Sequence, residues 1–303
     1  MKKVKLVKKA LLPAVIAVFC SLVALTSVSY AWFTMGNTAS VDSIDVNVKA
    51  AEGIEISANA LNWSDKLTLN DLKSGYDDHK NQIENIDEIS PVSSIGKVTA
   101  GVQEMFYGEQ NNYKLTTTQE VEGGAKNFIA FDIFVKSSVV QNFLLDATST
   151  VTYSGNDDKK SQLATRVSFI NLGTDSTYTA ATAQGLGSDV SGVAKIWEPN
   201  STVHTANSNT NTGKVTYKGV QKAGSDVAVT DTNNDIFGSV NTFDFTTVEN
   251  QLQDELLFTL GVGYTKIRVY IWLEGQDVDC LNDISGSAFQ VNLKFKVSQI
   301  SEE

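Results

Sequence analysis

Two histidines are the first residues to examine for metal chemistry, because imidazole is a frequent zinc ligand. A zinc peptidase of the H-E-x-x-H type places two histidines one helical turn apart, with a glutamate after the first. His79 is followed by KNQI and His204 by TANS, so neither position begins this motif. Both occur in polar stretches. The sequence therefore predicts exposed loop histidines and no zinc peptidase site.

Nucleophilic catalysis has no better support. The segments GYTKI and GSVNT do not form the G-x-S-x-G elbow that exposes a nucleophilic serine. A carboxylate pair for sugar hydrolysis can be distant in sequence, and nothing marks a particular pair. The expectation is a non-enzymatic protein with no catalytic residue and no cofactor.

Two acidic clusters have the oxygen ligands that calcium prefers. Residues 231–235, DTNND, alternate such oxygens, but Ile236 replaces the glycine expected at the sixth place and no glutamate stands at the twelfth. The second cluster, which has no recognised loop spacing, comprises Glu274, Asp277, Asp279 and Asp283. Solvated turn carboxylates are the favoured interpretation of both, and no metal site is predicted.

Aromatic residues offer a third kind of chemistry, the stacking of sugars in an adhesin. Trp63, Trp197 and Trp272 are the tryptophans to consider for such a platform. Trp272 alternates with Arg268 and Tyr270 along a predicted strand. That face is therefore either a binding surface or covered by another layer, and packing is the favoured interpretation.

The elements that would position any site follow an N-terminal leader. Residues 10–33 form an uncharged apolar run after five lysines, with small residues before Trp32. This pattern predicts a signal peptide, residues 1–31, cleaved between Ala31 and Trp32. The run is also long enough to span a bilayer, so an uncleaved anchor is the alternative. After cleavage no membrane association is expected, and Cys280, left without Cys20, should be a single buried cysteine.

The net charge of the chain argues against nucleic acids as partners. The formal net charge is −11, and a leader with five lysines would leave the rest more acidic still. Such a chain is repelled by phosphate, so nucleic-acid binding is not expected.

Strand patterns dominate the rest of the chain. Ile44, Val46 and Val48 alternate with polar residues, and the alternation restarts at Ile54 and Ile56, which predicts a hairpin. Residues 127–136, NFIAFDIFVK, are apolar on both sides with Asp132 as the polar interruption, which predicts a strand covered on both faces. The last strand, around Phe289 to Val297, is apolar on one side only.

These strands predict an all-β fold, an antiparallel β-sandwich of jelly-roll type, over residues 32–303. Residues 61–108 and 173–248 are predicted insertions, the first with a short helix because Leu69, Leu72 and Tyr76 have helical spacing.

Several segments carry a resemblance to a known family. AWFT at the end of the leader, followed by VDSIDVNVKA, and the final GSAFQVNLKFKVSQ resemble the two ends of the TasA and camelysin family. Between them, NFIAFDIFVKSS, LATRVSFINLG and IRVYIWLEGQDVDC resemble segments of secreted clostridial-type proteins with a similar leader. The resemblance covers the ends well and the middle only by pattern.

The resemblance implies a secreted subunit of biofilm-matrix or surface fibres of a Gram-positive-type bacterium, processed by a SipW-type signal peptidase. Residues 32–48 would form a donor strand that adds to the sheet of the next copy, giving a homopolymer. The donor residues would be Trp32, Phe33, Ile44, Val46 and Val48. Two alternatives stay open. Residues 41–48 could pair within their own domain, and the protein could be a monomeric surface adhesin or carbohydrate-binding module.

Overall fold

The computed structural model describes the chain in segments. They are residues 38–48, 54–76, 83, 86–94, 96–111, 114–120, 127–154, 161–199, 220–221, 226–228, 237–238, 242–243, 247–248, 251–252, 254–275, 277, 280 and 284–300. The side chains of residues 106–126 and 200–253 are not included in the description. The predicted signal peptide, residues 1–31, lies outside these segments.

Strands make up most of the described chain. In its first half they are β1 (Ala39–Val48), β2 (Glu55–Ser57), β3 (Lys66–Thr68), β4 (Lys97–Thr99), β5 (Val102–Gln103), β6 (Met105–Asn111), β7 (Lys114–Glu120), β8 (Phe128–Ser137), β9 (Gln141–Leu145) and β10 (Thr150–Ser154). In its second half they are β11 (Thr165–Asp175), β12 (Gly192–Val193), β13 (Lys195–Trp197), β14 (Val220–Gln221), β15 (Asp226–Ala228), β16 (Phe237–Gly238), β17 (Thr242–Phe243), β18 (Thr247–Val248), β19 (Gln251–Leu252), β20 (Glu255–Leu260), β21 (Gly263–Leu273) and β22 (Ser287–Gln299). The helices are α1 (Leu69–Lys73), α2 (Ser161–Ala164) and α3 (Ala180–Gln184).

Sheet I has the strand order β20-β9-β22-β1-β3, with β10 also paired to β22. Its long strand β22 runs antiparallel to β9 and β10 but parallel to β1. Along β22 the apolar residues predicted to point inward, from Phe289 to Val297, are buried, and the residues between them are more exposed. The prediction of a one-sided closing strand is confirmed.

Sheet II has the strand order β17-β13-β11-β21-β8-β2. Strand β21 lies between β11 and β8 and is antiparallel to both. Strand β8, which was predicted to be covered on both faces, is buried at nearly every position, Asp132 included.

One hydrophobic core joins the two sheets. It combines inward residues of sheet I, such as Val46 and Leu293, with those of sheet II, such as Phe131 and Val269. Phe169 of β11 and Phe295 of β22 meet edge to face across it, with ring centroids 5.8 Å apart. The all-β prediction is confirmed as two sheets packed over a shared core, mainly antiparallel but with parallel pairs between β1 and β22 and between β13 and β17.

The other face of sheet II, called the outer face here, carries Lys266, Arg268, Tyr270 and Trp272 of β21, and it is buried. A small sheet of β12, β4 and β5 covers one part, where Val98 packs in a cluster with Tyr270 and Trp272. The Tyr270 hydroxyl accepts a hydrogen bond of 3.0 Å from the backbone N–H of Gln103. The face of Trp272 is therefore covered by a further layer, as the favoured interpretation predicted.

The predicted hairpin of β1 with β2 is wrong. Strand β1 pairs in sheet I, whereas β2 pairs with β8 in sheet II, where Ile56 lies opposite Val135. Alternation specifies a strand and its buried face but not its partner. The chain therefore passes from one sheet to the other between residues 48 and 55.

The predicted insertions contribute to both sheets. Within residues 61–108, β3 pairs with β1, and α1 forms where Leu69 and Leu72 predicted a helix. Thr68 caps this helix in a capping box with Asp71. Within residues 173–248, β13 pairs with β11 in sheet II.

Candidate functional site

Strand β1 holds the predicted donor residues that the structure describes. Ile44, Val46 and Val48 are at most 8% exposed and point into the shared core. Trp32, Phe33 and the predicted cleavage position at Ala31 lie outside the described residues. Burying one Ile or Val side chain contributes about 1.5–3 kcal/mol. Strand β1 is therefore an integral part of the core of its own chain.

The register of β1 places its apolar residues beside those of β22. In the parallel ladder Ile44 lies opposite Val291 and Val48 opposite Phe295, with one irregularity between Val41 and Ser43. On the outward side of the same ladder, the Asn47 amide donates a 3.1 Å hydrogen bond to Asn292 Oδ1. Backbone pairing, packing and an amide contact therefore all fix this register.

The other edge of β1 is more sparsely paired. Strand β3 covers only the region from Asp45 to Asn47. Nearer the start of β1, the backbone N–H of Val41 donates to the carbonyl of Ile86, at 2.8 Å. Strand β1 thus fills a slot between a long strand on one side and short segments on the other.

A buried charged cluster occupies the outer face of sheet II. Arg268 donates to Asp132 through both Nε and Nη2, at 2.6 and 2.7 Å, and Lys266 Nζ lies 3.2 Å from the same carboxylate. The hydroxyl of Tyr76, just beyond α1, also donates to Asp132. Lys266 in turn donates to the carbonyl of Gln184 at the end of α3, at 2.7 Å. The cluster therefore ties α1 and α3 to sheet II.

Burial alone would raise the pKa of Asp132. The charges of Arg268 and Lys266, with hydrogen bonds from Arg268 and Tyr76, outweigh that effect and hold the pKa below its ordinary value. Asp132 is therefore ionised at neutral pH.

This shift predicts acid sensitivity. Asp132 stabilises the fold fully above its unfolded pKa of about 3.9, and this stabilisation is lost as the pH falls through the lower folded value. Urea unfolding of the wild type at about pH 7 and about pH 3 should therefore show a larger loss of stability than the same pair of experiments on Asp132→Asn. Equal losses in the two proteins would contradict this assignment.

A second buried cluster corrects the prediction of solvated turn carboxylates after β21. Arg166 Nη2 contacts Asp277 Oδ2 at 2.6 Å and Glu198 Oε1 at 2.9 Å, and all three side chains are at most 6% exposed. Glu274 is also buried, and its Oε2 accepts a 3.1 Å hydrogen bond from the Trp272 indole. Asp279 and Asp283 lie outside the described residues. The prediction failed because Arg166, which neutralises Asp277, is far away in sequence.

The other residues considered as metal ligands lie outside the described residues. His79, His204 and the acidic run 231–235 lie outside the described segments. Within those segments, no group of three or more His, Cys, Asp or Glu side chains is placed to hold a metal ion. Cys280 is buried in the shared core, as predicted.

The tryptophans do not form one platform. Trp197 and Trp272 are at most 1% exposed, whereas Trp63 is only partly buried. Trp63 lines a cleft of about 220 Å³ beside α1, which also includes Asn59, Asn62 and Asp71. The spacing of apolar and polar residues did not predict this cleft, because its lining residues follow neither the two-residue period of a strand nor the 3.6-residue period of a helix.

Comparisons with known proteins leave the function open. No protein-family model, no curated protein and no solved structure matches the chain. In the described part of the chain, every helix is too short or too polar to cross a membrane.

Proposed function

We propose that this protein is a secreted structural subunit, related to the TasA and camelysin proteins, that self-assembles into extracellular filaments. Its domain would be a sandwich of jelly-roll type, and export would involve removal of residues 1–31 by a SipW-type signal peptidase. The observation that carries the proposal is the position of β1, which fills a slot between β22 and β3 through contacts that a second copy could supply.

Strand exchange would preserve the contacts of the closed monomer. If β1 of one copy enters the slot of the next, Ile44, Val46 and Val48 meet the same β22 residues as they do within one chain. Such exchange of an identical element is a low-cost route to assembly, and a head-to-tail contact that does not close gives a filament. The parallel ladder supplies main-chain hydrogen bonds, and the buried side chains fix the register.

Deleting β1 would be a poor test, because it removes a core strand and could unfold the domain. A disulfide between β1 and β3 tests exchange without loss of packing. Asn47 and Lys66 lie directly opposite each other in the antiparallel pair, on the face of sheet I that points away from the core. Opposed Cβ atoms in such pairs are about 4.5–5.5 Å apart, close to the spacing of about 3.5–4.5 Å in a disulfide.

Oxidised Asn47→Cys/Lys66→Cys protein beginning at Trp32 is expected to stay monomeric in negative-stain electron microscopy, whereas the wild type forms filaments. Adding a reductant should restore filaments to the variant. The matched control is Asn142→Cys/Thr259→Cys, which joins β9 to β20 at a directly opposed pair and leaves β1 free to exchange. Filaments from the oxidised Asn47→Cys/Lys66→Cys protein, or monomers only from the wild type, would overturn the proposal.

A further inference from the structure

The cleft beside α1 combines one aromatic side chain with several short polar ones. Its volume is about 220 Å³, and its lining includes Trp63, Asn59, Asn62, Asp71 and Ser74. Clefts for drug-sized ligands are about 300–1,000 Å³. This cleft therefore suits a single small ring better than an extended ligand.

The Trp63 ring is supported from the sheet side. Tyr264 packs against it with centroids 4.5 Å apart, and Lys136 Nζ lies 5.8 Å from its centroid. Lys136 and Tyr264 are directly paired on neighbouring strands, so both project from the outer face of sheet II. Tyr178 packs edge-on against Tyr264 at 5.2 Å. The ring is therefore held in place before any ligand arrives, which reduces the cost of ordering it on binding.

The polar lining is fixed as well. Asn59 Oδ1 accepts hydrogen bonds of 2.9 Å from the backbone N–H groups of Leu61 and Asn62, which sets the loop that carries Trp63. Asp71 accepts hydrogen bonds from the backbone and hydroxyl of Thr68, at 2.7 and 2.6 Å. The hydroxyl and then the backbone hydrogen bond of Thr68 lower the pKa of Asp71, which keeps it an ionised acceptor at neutral pH.

Backbone strain marks the neighbouring aromatic. Tyr178 has a φ of 57°, a left-handed conformation that is rare for a bulky residue. Its hydroxyl donates to the carbonyl of Ser137, at 3.0 Å. Strain of this kind persists where the surroundings fix the residue, and here it holds Tyr178 against the ring that supports Trp63.

We propose that this cleft binds one neutral sugar ring of a glycan, a function separate from strand exchange. The apolar C–H face of a pyranose would lie on Trp63, and its hydroxyl groups would donate to Asp71 and exchange hydrogen bonds with the Asn59 and Asn62 amides. An anionic ligand would be opposed by Asp71 and by the net charge of −11. A neutral ring with hydroxyls in its plane and C–H groups on its face satisfies both the aromatic and the polar lining.

The test is an NMR titration of the full chain with glucose, mannose, galactose and N-acetylglucosamine as separate probes. Saturable binding of at least one sugar is expected, with a dissociation constant on the order of 1 mM. Preference for N-acetylglucosamine would indicate a cell-wall type of glycan, whereas preference for a hexose would indicate a matrix polysaccharide. Because each probe is a monosaccharide, binding does not depend on filament formation.

Variants separate the cleft from the fold. Trp63→Ala and Asn62→Ala should each weaken binding about tenfold, and Asn62 is exposed, so its truncation leaves packing unchanged. Val193→Ala, at an exposed side chain on β12, is the matched control and should bind as the wild type does. The proposal would be overturned if no sugar caused a shift at ten times the expected dissociation constant, or if all variants bound equally. It would also be overturned if the cationic peptide trilysine, titrated in parallel, bound to the cleft and the sugars did not.

Discussion

Replacing Asp132 with alanine is expected to lower the free energy of unfolding by about 3–5 kcal/mol, because it leaves buried cations without their carboxylate. Arg268 is 1% exposed and Lys266 2% exposed, so water cannot take over the role of Asp132. The hydrogen bond from the Tyr76 hydroxyl to Asp132 would also be lost. Urea unfolding followed by circular dichroism at neutral pH measures the change.

The matched control is an ion pair at the rim of the same sheet. Lys136 Nζ lies 2.7 Å from Glu55 Oε2, but both side chains are more than 40% exposed. Glu55→Ala should therefore cost less than about 1 kcal/mol, since exposed pairs are screened by solvent. If Asp132→Ala costs no more than Glu55→Ala, the buried cluster does not hold α1 and α3 on sheet II.

The sequence predicted those parts of the fold that depend only on the pattern of apolar residues within one short segment. Strand β8 is apolar on both sides, and the structure covers both. Strand β22 is apolar on alternate residues, and those residues are buried. In both cases the pattern reports the environment of each face, which is a local property of the strand.

Partners of these strands could not be predicted in the same way. The alternation of β1 is satisfied equally by a hairpin with β2 and by the parallel ladder with β22 that the structure has. Asp132 and Arg268 lie on different strands, far apart in sequence, so the interruption in β8 gave no sign of its counter-charge. Both depend on topology, which strand periodicity does not encode.

The same distinction between local pattern and topology applies to the candidate sites. The predicted donor residues of β1 could be named from the family resemblance and from their alternation in one continuous segment, and their role as donors stays a prediction. The Trp63 cleft could not, because Tyr264, which supports the ring, arrives from β21 and Asp71 from α1. Of the tryptophans, the alternation along β21 favoured packing for Trp272, but the sequence could not tell the partly exposed Trp63 from the buried Trp197.

Truncating Phe295 to alanine is the second change with a large expected effect, a loss of about 3–5 kcal/mol. This side chain is 1% exposed. It stacks on Phe143 of β9 at 4.8 Å and meets Phe169 of sheet II edge-on at 5.8 Å. Removal of the Phe295 ring leaves a cavity between the two sheets. Leu256→Ala, at a 44% exposed side chain on β20, is the control and should change stability by no more than about 0.5 kcal/mol.

The same variant tests one requirement of strand exchange. Val48 lies opposite Phe295 in the ladder, and exchange of β1 between copies would recreate that contact. The truncation then weakens the closed monomer and the exchanged subunit equally, so Phe295→Ala should lower unfolding stability while the equilibrium fraction in filaments, measured by sedimentation, stays near that of the wild type. A filament fraction that falls in step with the loss of stability, under conditions where the variant stays folded, would show that the contact is not recreated in the filament and would contradict exchange of β1 as the assembly step.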